Sequence, residues 1–241
     1  MKQKFYFFLL LLFILTGCTN QHEHSIYYIP HPDDDILSFG PAILDDLKSN
    51  REVSIVLLTQ GRASNAITLV NKQLEQEGSP PISVDQFGEA RVNEFRKSMH
   101  VLGLTDEQLH ILDLPDGGLE VDAVVDVIKQ FNKDSIVQLH HAFTELDPHP
   151  DHAATGLALK QFQHSTKDTL ARFYIPIQEQ GNIDSSKSNS IKDNETKGIY
   201  QKALDAYGVW EPENNLYSIG HLSVPTYFQQ ASERMTSTWN E

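Results

Sequence analysis

The chain of 241 residues has one cysteine, Cys18, so no internal disulfide braces it and stability must come from a core. It is poor in basic residues. Against 33 Asp and Glu stand 19 Lys and Arg, a formal charge of −14. Such a surface repels phosphate backbones and anionic lipid heads, which argues against nucleic acid as a partner and against membrane attachment through a basic patch. Long apolar runs are missing too. The run from Phe5 to Leu15 is shorter than the roughly 20 residues a membrane-spanning helix needs. There is no Gly-x-Ser-x-Gly element, so a serine hydrolase is unsupported, and there is no internal repeat.

What is present at the start is a basic head with Lys2 and Lys4, the apolar run, and then Leu15-Thr16-Gly17-Cys18. That order describes a secretory signal, and its end resembles a bacterial lipobox. The expectation is cleavage before Cys18 and a lipid on its sulfur. Residues 1–17 are then a signal peptide and 18–24 a short tether. The protein is expected to be exported and lipid-anchored to the extracytoplasmic face of a bacterial membrane, its site close to the bilayer. Without Lys2 and Lys4 the formal charge is −16, so the acyl chains must do the anchoring. Residues 25–241 are of a size for one domain.

Apolar and β-branched runs predict strands at Ser25–Ile29, Glu52–Leu58, Leu109–Leu112, Ser135–Leu139 and Leu170–Ile175. Helical spacing predicts helices over Ile36–Leu47, Val84–Leu102, Val121–Phe131, Pro150–Phe162 and Ile199–Tyr207, with an irregularity at Gly40-Pro41 and a stop at Gly103. Residues 71–84 are polar, with Pro80-Pro81, and read as loop. Residues 178–197 are rich in Ser, Asn, Asp and Lys and read as a mobile segment. Strands alternating with helices predict an α/β fold: a mainly parallel, twisted sheet with helices on both faces.

Two pieces carry chemistry. His31-Pro32-Asp33-Asp34-Asp35 follows the first strand, and His149-Pro150-Asp151-His152 follows the fourth. In an open α/β sheet the carboxyl ends of the strands are where ligands bind. His31 with Asp34, and His149 with His152, are each three residues apart and can share a face. A catalytic zinc takes three protein ligands and keeps a position open. His31, Asp34 and His152 supply those three, and another divalent metal such as Fe2+ suits the same donors. Asp33 is placed to take a proton from water as general base, and His149 to stabilise an oxyanion as imidazolium, with Asp151 holding it charged.

These pieces resemble the PIG-L/LmbE-like deacetylases, whose members carry Ala-His-Pro-Asp-Asp-Glu after the first strand and His-Pro-Asp-His after the fourth. Thr59-Gln60-Gly61, Arg91-Val92-Asn93-Glu94 and Leu114-Pro115-Asp116-Gly117 extend the likeness over about residues 25–165. The resemblance implies a Rossmann-like fold, zinc, and removal of an N-acetyl group from an N-acetylglucosamine-type sugar or glycoconjugate. It matches His31, Asp34 and His152 to metal ligands, Asp33 to the base, His149 with Asp151 to an electrostatic pair, and Arg91 to an arginine near the catalytic carboxylates. Asp116, His141 and His221 are further candidates around metal or substrate. Here Pro30 replaces a small residue, Asp35 replaces Glu, and Arg62 occupies a position where acidic or small residues are usual. Asp35 is not expected to cost any chemistry. His22, His24, His100, His110 and His164 read as surface or tether residues.

Two other readings remain. One is a sugar-binding lipoprotein without catalysis, against which the second carboxylate Asp33 argues. The other is a non-haem iron enzyme, against which the helix–strand alternation argues, since such sites usually sit in all-β folds.

Overall fold

The computed structural model describes residues 24–133, 136–166 and 169–241. Residues 1–17, Cys18 and all of the tether except His24 lie outside the described residues. Five strands run parallel: β1 (His24–Ile29), β2 (Glu52–Leu57), β3 (Leu109–Ile111), β4 (Gln138–Phe143) and β5 (Leu170–Tyr174), in the order β3-β2-β1-β4-β5. Two antiparallel strands extend the sheet past β5. These are β9 (Thr236–Asn240) and, beyond it, β6 (Lys187–Ser190). β7 (Trp210–Glu211) and β8 (Leu216–Tyr217) form a separate ribbon.

The helices are α1 (Gly40–Lys48), α2 (Ala66–Gln76), α3 (Val84–Leu102), α4 (Val121–Phe131), α5 (Pro150–Ser165), α6 (Asn194–Ala206), α7 (Ile219–Ser223) and α8 (Pro225–Arg234). Side chains alternate across the sheet. Tyr27, Ile29, Val53 and Ile55 meet α1, α3, α6 and α8 on one face. Ile26, Tyr28, Val56 and Phe173 meet α4 and α5 on the other. With both faces covered, the strands read as nearly continuous apolar runs. No described helix is long and apolar enough to cross a membrane.

Four of the parallel strands, β1, β2, β3 and β5, and the helices over Val84–Leu102 and Val121–Phe131 lie where the sequence predicts them. Ser83 and Gln86 form a capping box on α3, and Gly103 ends it with a φ of 100°. The irregularity near Gly40-Pro41 is a π turn over Asp35–Phe39, immediately before α1. Such turns are frequent at functional sites.

Four expectations need correction. Residues 71–84 are not all loop, because α2 reaches Gln76 and buries Ala66, Val70 and Leu74 on one stripe. The segment 178–197 holds β6, whose polar side chains suit a solvent-facing edge paired to β9 from Lys187↔Trp239 to Ser190↔Thr236. The fourth strand, predicted to end at Leu139, begins at Gln138 and continues to Phe143, so His140 and His141 lie within it. His24 is not tether: it opens β1, buried, with Nε2 2.9 Å from Ser54 Oγ.

Candidate active site

β1 and β4 are neighbours, yet the connections leaving them go to opposite sides of the sheet, so their carboxyl ends flank the point where the strand order reverses. A crevice opens there. It has a volume of about 470 Å3 and is lined by His31, Asp33, Asp34, Arg91, Asp116, His149 and His152, together with Gln178 and the less polar Leu37, Val224 and Tyr227. Both sequence motifs therefore reach one cleft.

His31 and Asp34 come from the turn after β1. The Asp34 carboxylate Oδ2 accepts from the His31 backbone N–H at 3.1 Å and lies 3.1 Å from His31 Nδ1. His149 caps α5, Pro150 takes its first turn, and His152 follows one turn on. His152 Nε2 is 3.3 Å from the same Asp34 oxygen. His31 Nδ1, Asp34 and His152 Nε2 thus converge. His31, His149 and His152 also form a group close enough to share an ion.

The outward-facing nitrogens of the two imidazoles are held by carboxylates. His31 Nε2 donates to Asp151 Oδ2 at 3.1 Å, with Asp116 Oδ1 at 3.2 Å. His152 Nδ1 donates to Asp147 Oδ2 at 3.0 Å, while Asp147 Oδ1 accepts from the His149 backbone N–H at 2.6 Å. Metal-binding histidines characteristically donate their second ring N–H in this way, which fixes the tautomer that leaves a lone pair for the ion. The donor set fits a divalent metal on these grounds. A second group, His31, Asp116 and Asp151, lies on the other side of the His31 ring.

The electrostatics follow from burial and from these pairs. Burial pushes the Asp34 carboxyl up, but the charges and hydrogen bonds of His152 and His31 outweigh it and hold it well below the usual range. Burial lowers His152, and the Asp34 charge with the Asp147 hydrogen bond lifts it to about 9. His31 is likewise raised, burial being overcome by Asp116, Asp151 and Asp34. Burial lifts Asp33 to about 6, against the pull of the Arg91 guanidinium.

Arg91 approaches the carboxylates as the resemblance implies. It donates to Asp33 Oδ2 at 3.0 Å, to the Pro32 carbonyl at 2.5 Å and to the Gly61 carbonyl at 2.9 Å. Gly61 has a φ of 68°, and a Cβ there would stand 2.1 Å from Arg91 Nη1, so glycine is required for both reasons. Glu94 does not pair with Arg91 by hydrogen bond. Its carboxylate accepts from the backbone N–H groups of Tyr217, Ile219 and Gly220, tying the C-terminal region to α3.

Asp151 stands differently from its expected place. Its carboxylate accepts from Gly117 and Leu119 N–H at 2.7 and 3.0 Å and from His31, and not from His149. His149 Nδ1 instead accepts from the Asp151 backbone N–H at 3.3 Å. Partial burial and the neighbouring His152 and His31 imidazoles lower its pKa, which works against the imidazolium expected of it. With Nδ1 accepting, its proton sits on Nε2.

Asp116 does join the site, accepting from Ala63 N–H at 2.6 Å beside His31. His141 does not. It stacks on Tyr27 at 3.9 Å, and its Nδ1 is 3.2 Å from Tyr174 Oη, all inside the core. Nor does His221, whose Nε2 is 3.2 Å from the Leu204 carbonyl and whose ring meets Phe228. Asp147 and Tyr207 are the residues that sequence reasoning missed. Asp147 carried a signal in standing five residues before His152, whereas Tyr207 is 172 positions from its partner Asp35.

No curated protein matches the chain in sequence. Solved structures do. A deacetylase of the antimicrobial reagent A40926 pseudoaglycone is 16% identical, with a TM-score of 0.63 over 91% of this chain and 96% of that one. N,N'-diacetylchitobiose deacetylase from Pyrococcus horikoshii is 17% identical, with a TM-score of 0.59 over 92% and 84%. A 4-carboxy-2-hydroxymuconate hydratase from Pseudomonas putida is 14% identical, with a TM-score of 0.57 over 90% and 94%. At these identities the likeness shows the fold, and that fold serves more than one reaction. The family profile is more specific, matching residues 26–163, more than half of the chain, and on that ground the chain belongs to the PIG-L family, described as GlcNAc-PI de-N-acetylase.

Proposed function

We propose that the chain is a zinc-dependent deacetylase that hydrolyses the N-acetyl group of an N-acetylglucosamine-type sugar or glycoconjugate. The observation that carries this reading is the convergence of His31 Nδ1, Asp34 and His152 Nε2, with both second ring nitrogens held by carboxylates, beside the further carboxylate of Asp33. Zinc held there supplies Lewis-acid polarisation of the amide carbonyl and activation of water near neutral pH.

The chain's own groups do the rest. Asp33 takes a proton from the attacking water, and its pKa of about 6 keeps it ionised at pH 7 while leaving it basic enough to accept. His149 donates Nε2–H to the oxygen that gains charge as the carbonyl becomes tetrahedral. Asp33 then returns the proton to the departing nitrogen, giving free amine and acetate. Arg91 holds the Asp33 carboxylate and the Pro32 carbonyl in place throughout. Leu37, Val224 and Tyr227 offer apolar surface to the acyl group or sugar face.

The lipid expected at Cys18 is part of the proposal and bears on the substrate. His24 starts β1 at the edge opposite the cleft, and six strand residues separate the two by about 20 Å. A lipid on Cys18, only a few residues before β1, would keep the site near the bilayer and favours a glycan or amphiphilic glycoconjugate over a diffusing metabolite. The experiment is acetate release from a panel of N-acetylglucosamine compounds by metal-loaded and chelator-stripped protein. Release by the loaded form alone is expected. Equal release by both, or none from any amino sugar, would remove the reading.

A further inference from the structure

Asp33 has a φ of 105°, a backbone conformation that strains any residue with a side chain. Such strain persists only where the surroundings over-determine it. Arg91 holds one side of the turn through the Pro32 carbonyl and the Asp33 carboxylate. The other side is held from the C-terminal region. The Asp33 backbone N–H is shared between Asp35 Oδ1 at 2.9 Å and Tyr207 Oη at 3.0 Å. Tyr207 Oη–H donates in turn to Asp35 Oδ1 at 2.7 Å. Both Asp35 and Tyr207 are fully buried.

Tyr207 is itself placed firmly. Its ring lies 5.6 Å from that of Phe228. Gly220 leaves it room, since a Cβ there would come within 2.8 Å of Tyr207 Cβ. The Gly220 amide is fixed by Glu94 at 3.1 Å. Asp35, one methylene shorter than the Glu that the family resemblance expects, completes a closed triangle with the Asp33 amide and the Tyr207 hydroxyl.

We propose that Tyr207 is a positioning residue for Asp33: its hydroxyl latches the left-handed turn that aims the Asp33 carboxylate into the cleft. Tyr207 lies outside the family-matched residues 26–163, so the C-terminal region completes the base rather than merely covering the sheet. The kinetic part of this proposal rests on the reading of Asp33 as general base.

Tyr207→Phe removes the hydroxyl and little else. A misplacement of about 1 Å at a reacting group costs up to about 100-fold, so kcat should fall about 10–100-fold while KM stays within about twofold and metal stoichiometry is unchanged. Tyr200→Phe is the control. Tyr200 is equally buried, on α6, and donates to the Ile36 carbonyl at 2.9 Å without touching Asp33. It should leave kcat within about twofold. Asp35→Asn keeps an oxygen for both hydrogen bonds and should retain kcat, whereas Asp35→Ala should fall with Tyr207→Phe, and this pair decides the matter if Tyr207→Phe does not fold. A crystal structure of Tyr207→Phe adds a readout free of turnover, in which Asp33 should leave positive φ. Unchanged kcat together with an unchanged Asp33 backbone overturns the latch. If metal-loaded wild type releases no acetate from amino sugars, the deacetylase reading fails, and the Asp33 backbone in that crystal still decides the latch.

Discussion

Asp147→Asn isolates the contribution of a residue that would act on the proposed zinc only through His152. In the structure, Asp147 Oδ1 accepts from the His149 N–H at 2.6 Å and Oδ2 accepts from His152 Nδ1–H at 3.0 Å. An asparagine has one oxygen for these two donors. If the oxygen keeps the His149 amide, the NH2 faces His152 Nδ1 and favours the tautomer with its proton on Nε2, the nitrogen aimed at the metal. If the amide flips, the His149 N–H is left unpaired, which costs about 1–3 kcal/mol. That cost opposes the flip, so the first arrangement is favoured and with it the tautomer that blocks the metal nitrogen. Changing such a carboxylate typically costs about 10–100-fold in metal affinity. That corresponds to about 1.4–2.7 kcal/mol. The assay is competition for Zn2+ against a chromophoric chelator at pH 7.5, with far-UV circular dichroism to confirm the fold. An unchanged affinity in a folded Asp147→Asn variant would refute the tautomer argument.

Asp33→Asn should bind metal normally and lose on the order of 10²–10⁴ in kcat, while the acid limb of wild-type kcat/KM should fall near pH 6, where the base protonates. His149→Ala should lose turnover and keep the metal; loss of the ion would make His149 a ligand. In the core, burial lowers the pKa of His141 to about 3. The unfolded chain therefore binds a proton below about pH 6.5 that the native state refuses, and stability falls on acidification. Between pH 7.5 and 5 this group costs about 2 kcal/mol, so His141→Phe should lose that much less than wild type over the same interval in urea titrations. Equal losses would show that His141 protonates in the native state. Cys18→Ser should move the protein from the membrane to the soluble fraction, and a variant that still pellets with membranes would remove the anchor.

The His/Asp cluster in the cleft was legible because each half of it is local. His31 with Asp34, and His149 with His152, are close in sequence, and the strand pattern alone sends both to one sheet edge. What escaped reading depends on tertiary distance or on neutral burial. Tyr207 meets Asp35 across 172 positions. His141 was a candidate around metal or substrate, and His140 stands beside it just past the predicted end of the fourth strand. Buried, with lowered pKa values of about 4 and 3, they behave instead as flat neutral plates within β4. The polar run 187–190 lacked an apolar face because it lies on the sheet edge, where its backbone pairing rather than side-chain burial makes it a strand. Asp151 was assigned to His149 by adjacency, but the start of α5 carries its carboxylate toward the Gly117–Leu119 amides and His31.

The most direct test is anomalous diffraction at the zinc edge from crystals of the metal-loaded protein. The account predicts one peak bonded to His31 Nδ1, Asp34 and His152 Nε2, at about 2.0–2.2 Å from each. A peak on the opposite side of the His31 ring, between Nε2, Asp116 and Asp151, or no peak at full zinc loading, would contradict it.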